Sequence, residues 1–161
     1  MKLNTKNYKL FTLDEQSEIF KVAELLASDN VKVGKTINDS KLTKQFLIDR
    51  LKDYEREVFG CIFLNNQNVI LSIEDLFLGS VHTSTIHIRE ILKRALHFNC
   101  SGLIIFHNHT SGSIVPSDAD ITVTLKIIEM LSVIDIRVLD HIIISGNRSN
   151  SLNESGSVNF Y

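Results

Sequence analysis

Four short apolar runs, "VFGCIFL" (58–64), "VILSI" (69–73), "GLIIFH" (102–107) and "IRVLDHIIIS" (136–145), alternate with segments of helical spacing. No other feature limits the fold as tightly. Each run is short and rich in branched and aromatic residues, which favours a strand over a buried helix. The first two are separated by "NNQN", whose asparagines suit a tight turn, so they predict a β-hairpin. Between and around the runs, "KLTKQFLIDRLKD" shows helical spacing through Leu42, Phe46, Leu47 and Leu51, and "REILKRALHF" and "SDADITVTLKIIEMLSV" also read as helices. Strands and helices in this order predict an α/β or α+β sandwich around a mostly buried central sheet.

The two ends have a different character. "FTLDEQSEIFKVAELLA" opens with Thr12 and Glu15 at capping-box spacing and continues with Ile19, Val22, Ala23 and Leu26, which predicts an amphipathic helix. We therefore expect an N-terminal helical segment over 1–35, followed through the turn-rich "SDNVKVGKTINDS" by a main domain over 36–161. The tail "GNRSNSLNESGSVNFY" is polar and predicts loop with at most a short strand. A length of 161 residues supports one well-buried core. The formal net charge of −2, with basic and acidic residues intermixed, gives no electrostatic footprint for nucleic acid. The N-terminus lacks the apolar region of a secretory signal and the longest apolar runs are too short to cross a bilayer, so the expected setting is cytoplasmic, without a membrane. Cys61 and Cys100 form no CxxC pair and read as buried thiols.

The chemistry is concentrated in "HNHTSGSIVPSDAD" (107–120), directly after a strand-like run. Residues i and i+2 of an extended backbone project from one face, so His107 and His109 can meet a single ion. Ser117 in "PSDAD" is a good helix N-cap, which puts Asp120 in the first helical turn. Two imidazoles and one carboxylate suit one zinc ion and leave a fourth position for water, the pattern of a catalytic site. Water bound in such a site has its pKa lowered to about 7. Each piece alone has a plainer explanation: an HxH pair is commonly surface or packing, and Ser117 with Asp120 is also simply a helix start. The ordered set HxHx7SxxD, however, should occur by chance in roughly one of several hundred to a thousand chains of this composition.

That ordered set resembles the signature of the JAMM (MPN+) metalloproteases, and its setting resembles the RadC-like (UPF0758) family of bacterial proteins in its short form. The blocks "REVFGCIFLNNQN", "LFLGSVH", "REILKRALHFN", "HNHTSG", "PSDAD" and "LDHIII" carry the likeness in order, over about residues 40 to 156. The resemblance implies a mixed central β-sheet sandwiched by helices, of the cytidine-deaminase-like kind. It implies a zinc-dependent hydrolase of peptide or isopeptide bonds, with a peptide or protein as substrate. His107, His109 and Asp120 would hold the ion. Glu57, in "EVFGCI", would be general acid and base, and Ser117 would support the oxyanion or the metal water. The sequence departs from the family pattern at Thr110 and Ile88, where the family tends to have proline; neither change removes a ligand or a proton-transfer group.

Two alternatives belong beside this reading. The family's association with DNA repair suggests a DNA-binding protein or nuclease, against which stand the charge balance and the lack of an obvious helix-hairpin-helix segment. A non-catalytic MPN binding module would typically lack the histidine pair or the aspartate, and both are present. Of the other histidines, His141 in "LDHIII" reads as a hydrogen-bonded structural residue. His82 and His87 with Glu90 are candidates to line a cleft, and His97 is read as structural or exposed.

Overall fold

In the computed structural model, which describes residue 12, residues 32–79 and residues 86–160, eight elements follow one another. They are α1 (Ser40–Leu51), β1 (Val58–Leu64), β2 (Ile70–Leu78), α2 (Ile88–His97), β3 (Gly102–Asn108), α3 (Asp118–Ser132), β4 (Arg137–Ser145) and β5 (Arg148–Ser151). The predicted N-terminal helix lies outside the described residues. Among the described residues no helix is long and apolar enough to cross a membrane.

The strands form one mixed sheet of order β2-β1-β3-β4-β5. The predicted hairpin is present: β1 and β2 pair antiparallel, and Asn65 Oδ1 closes the turn by accepting from the backbone N–H groups of Gln67 and Val69, both at 2.9 Å. Asn68 takes the left-handed conformation there (φ 58°), which asparagine tolerates better than most residues. β2 runs five residues beyond the predicted "VILSI", through Glu74 and Asp75. Those charges are matched from outside the sheet: Arg94 of α2 holds Glu74 with both guanidinium arms, and Arg50 of α1 reaches Asp75 at 3.0 Å. β3 lies antiparallel to β1 and parallel to β4, with α3 as the crossover. The parallel pairing at the centre is why "GLIIF" carries apolar residues without alternation: both its faces are covered.

One face is packed by α1. Its Leu47, Ile48 and Leu51 lie against Val58, Ile62, Leu64, Ile104, Phe106, Ile142 and Ile144. The helix is turned slightly from the expected orientation, with Thr43 and Ile48 buried and Leu42 exposed. Asp39 caps it by accepting from Lys41 N–H at 2.7 Å. The opposite face is packed by α2 and α3, where Ile91, Ala95, Ile127 and Leu131 meet Phe59, Phe63, Leu103 and Ile105. The sheet is thus sandwiched by helices, as the resemblance implied. Cys61 and Cys100 are both buried and free, as expected. Burial pushes the Cys61 thiol far up and the Cys100 thiol to about 11, so neither has the character of a reactive thiolate.

Two local features set up the site. Gly60 has no room for a side chain, since a Cβ there would lie 2.3 Å from the Phe106 ring; glycine lets β1 and β3 close on each other. In β4 the register against β3 slips by one residue, Leu103 pairing with Val138 but Ile104 with Asp140. Leu139 is the extra residue, and beyond it the facing of β4 is inverted relative to Val138. His141 therefore lies on the α2/α3 face, the face that His107 also occupies.

Candidate metal centre

β3 ends at Asn108, but the ladder continues one residue further because His109 N–H donates to Ile144 C=O at 2.7 Å. The extended backbone thus carries both histidines, and their rings sit 4.6 Å apart. α3 begins at Asp118 with Ser117 as N-cap. The predicted N-cap is in place and closes a capping box: Ser117 Oγ accepts from Asp120 N–H at 3.2 Å, and Asp120 Oδ2 accepts from Ser117 N–H at 2.8 Å. Ser117 Oγ–H also donates to Asp120 Oδ2 at 2.7 Å. The helix start therefore fixes the carboxylate as well as itself.

Asp120 faces the strand pair, Oδ1 3.2 Å from His107 Nε2 and Oδ2 3.3 Å from His109 Nε2. The two Nε2 atoms are 2.8 Å apart. One candidate ligand atom from each of the three residues lies within 4.8 Å of the others, so His107, His109 and Asp120 could together hold a metal ion. Four tetrahedral ligands at about 2.0–2.1 Å from a zinc-sized ion are about 3.3 Å from one another. The two histidine–aspartate separations match that edge, and the imidazole pair needs to open by about half an ångström.

The chemistry of the donors fits as well. His109 Nδ1 faces Ser113 C=O at 2.9 Å, and a carbonyl can only accept, so Nδ1 carries the proton and the neutral ring offers a lone pair at Nε2. Hydrogen bonding to Asp120 raises the His109 pKa against the opposing effect of burial, with Ser113 and the Glu57 charge adding to the rise. Burial works against charge on Asp120, yet the neighbouring His107 and His109 and the Ser117 hydroxyl outweigh it and hold the carboxyl far below the usual range. An anionic carboxylate 1 % exposed and bracketed by imidazoles suits a cation.

Behind the ligands stands a buried polar layer. His107 Nδ1 lies 2.7 Å from His141 Nε2, and His141 Nδ1 lies 2.6 Å from Thr124 Oγ1. Thr124 Oγ1 also donates to Asp120 C=O at 2.6 Å, one helical turn back. Burial keeps the His141 pKa well below the ordinary imidazole value, and the neighbouring His107 pushes the same way. Phe59 covers this layer, stacked on His107 and edge-on to His141. The structural reading of His141 thus holds, and its place is against a candidate ligand.

Glu57 is partly buried and directly precedes β1, whose Phe59 pairs with His107 in register. Its segment is clamped to the ligand strand by the Asn108 side chain, which accepts from Val58 N–H at 2.6 Å and donates to Arg56 C=O at 3.0 Å. Sequence reasoning passed over Asn108 as a positioning group, although its place between the two histidines was a signal. The other candidates fall elsewhere. His87 is the N-cap of α2 without a side-chain cap bond, Glu90 pairs with Lys93 and Arg89 in the first turn, His97 is exposed, and His82 lies outside the described residues. Beside the ligands opens a cleft of about 430 Å³, lined by Tyr54, Glu55, Asn108, His109, Thr110 and Gly112 among others.

A mixed sheet that presents an HxH pair at one strand end to a carboxylate in the first turn of the next helix defines a class, the JAB-type domain with a possible metal centre. Within that class the chain belongs to the RadC-like JAB domain family, whose model matches residues 37–157. It is 43 % identical over 128 residues to a UPF0758 protein of Nitrosococcus oceani, an alignment covering 80 % of this chain and 57 % of that one. To a UPF0758 protein of Coxiella burnetii it is 48 % identical over 113 residues, 70 % of this chain and 50 % of the relative. The UPF0758 protein YeeS of Escherichia coli is 36 % identical over 145 residues, 90 % of this chain and 98 % of YeeS. The chain thus spans about half the length of the first two relatives and nearly all of the third.

Proposed function

We propose that this chain is a zinc-dependent hydrolase that cleaves an amide bond, peptide or isopeptide, in a peptide or protein substrate. One observation carries the reading: ligand atoms of His107, His109 and Asp120 gather within 4.8 Å beside an open cleft that reaches His109. When bound there, zinc supplies an acidified water and polarises the scissile carbonyl.

The chain's own residues supply the proton transfers and the positioning. Glu57 takes the proton from the attacking water and delivers one to the leaving nitrogen. Two facts support that role: Asn108 holds its segment against the ligand strand, and the Glu57 charge acts on His109. Ser117 supports the oxyanion. Its hydroxyl proton now rests on Asp120 Oδ2, and Ser117 N–H keeps hold of that oxygen when the hydroxyl turns toward the substrate. The free, buried thiols suit a cytoplasmic setting.

The test is metal content paired with turnover. Wild-type protein is expected to carry one zinc by elemental analysis and to cleave at least one member of a panel of peptide and isopeptide substrates. On that substrate Glu57→Gln should keep the zinc and lose at least about a hundredfold in rate. Unchanged turnover would remove Glu57 from the mechanism, and a wild-type sample that stays empty in excess zinc would end the hydrolase reading.

A further inference from the structure

Thr124 Oγ1 is within hydrogen-bond distance of two groups, and it has one proton to give. One partner, Asp120 C=O at 2.6 Å, can only accept. The hydroxyl proton therefore goes to that carbonyl, and toward His141 Nδ1 at 2.6 Å the same oxygen can only accept. His141 Nδ1 thus carries a proton. His141 is fully buried, its two nitrogens face a hydroxyl and another imidazole, and a second proton would be an uncompensated buried charge. Its Nε2 is then a lone pair, and His107 Nδ1 at 2.7 Å must donate to it. The last link leaves His107 Nε2 with a lone pair, and the proton in its 2.8 Å contact with His109 Nε2 then belongs to His109, which an ion bound there would displace.

We infer that Thr124 and His141 are positioning residues that fix the protonation pattern of His107, so that its Nε2 is held ready as a metal ligand by a one-way hydrogen-bond relay ending on a helix carbonyl. The inference rests on the reading of His107 as a ligand through Nε2. The relay is closed to water: Thr124 and His141 are fully buried, His107 is 2 % exposed, and Phe59 packs on both rings. It also differs from the support of the other imidazole. His109 is oriented by one backbone carbonyl, that of Ser113, in an exposed loop, whereas His107 depends on two side chains from α3 and β4. Replacing Thr124 with valine keeps the shape and withdraws the acceptor. His141 then gains by moving its proton to Nε2, the only nitrogen with a partner left, which drives the His107 proton onto the ligand atom.

Long-range ¹⁵N–¹H correlation spectra of the metal-free protein, recorded above the ordinary imidazole range, read these tautomers directly. The expected wild-type result is protonation of both His141 and His107 on Nδ1. Thr124→Val is expected to shift the His141 proton to Nε2 and to weaken zinc binding about ten- to a hundredfold, measured by competition with a chromophoric chelator. Thr124→Ser, which returns the hydroxyl, should restore both readouts. A wild-type spectrum with His141 protonated on Nε2 would overturn the relay, as would Thr124→Val with wild-type zinc affinity. Wild-type protein that binds no zinc would defeat the hydrolase reading instead, and the metal-free spectrum would still decide the relay.

Discussion

The two faces of the sheet are built by the same strands and differ in what those strands bury. β3 sends Ile104 and Phe106 to the α1 face, whose centre is closed by aliphatic and aromatic contact. To the other face it sends Leu103 and Ile105, and then His107, which meets His141 and Asp120; these three and Thr124 behind His141 are each no more than 2 % exposed. Burying polar groups at this depth costs several kcal/mol unless each finds a partner. On this face each does, within one closed set of hydrogen bonds. The contrast teaches where stability and function are separated: one side is held by burial of apolar surface, and the other gives up part of that gain to present fixed polar atoms to a cleft.

The largest effect expected from that contrast is on the apolar side. Phe106→Ala should lose about 3–5 kcal/mol in urea unfolding, with or without zinc. A loss below about 1 kcal/mol would mean that the α1 face is not the principal source of stability. The polar side should respond to metal instead. Zinc at about a hundredfold its Kd is expected to raise the stability of the wild type by about 2.7 kcal/mol and to leave His109→Ala unchanged. An equal gain in His109→Ala would place the ion elsewhere.

A smaller effect lies at the rim of the α1 face, where Glu154 accepts from Lys44 at 2.6 Å and Ser40 at 2.5 Å and so ties the tail to α1. Those hydrogen bonds, Lys44 first, lower the Glu154 pKa from 4.5. The stabilisation is therefore present above the unfolded value and is lost as pH falls through the lower folded one. Glu154→Gln should cost about 0.2–1 kcal/mol at neutral pH and close to nothing at a pH below the folded value, measured by thermal melts across that window.

The strands and helices that surround the site were legible because their apolar period was undisturbed, as in "GLIIF" and "REILKRALHF". The helix start was legible for a second reason, since the residues that make a capping box at Ser117 and Asp120 are also the ones that orient the candidate ligand. β2 was cut short in the reading because Glu74 and Asp75 look like the end of a strand, and the arginines that neutralise them come from two distant helices. The place of His141 behind His107 could not be foreseen. In a regular strand Val138 and His141 face opposite ways, and only the bulge at Leu139 brings them to one side. Asn108 was missed because a side chain that substitutes for a ladder bond leaves no periodic trace.

The three candidate ligands all come from the fourteen residues from His107 to Asp120, whereas Glu57 arrives from the residue before β1 and His141 from β4. Closing so short a loop carries a small entropic penalty, about the same whether or not the remaining strands have docked. An ion held by these three would need only β3 and α3 to be docked, whereas the groups that act around it would wait for β1 and β4.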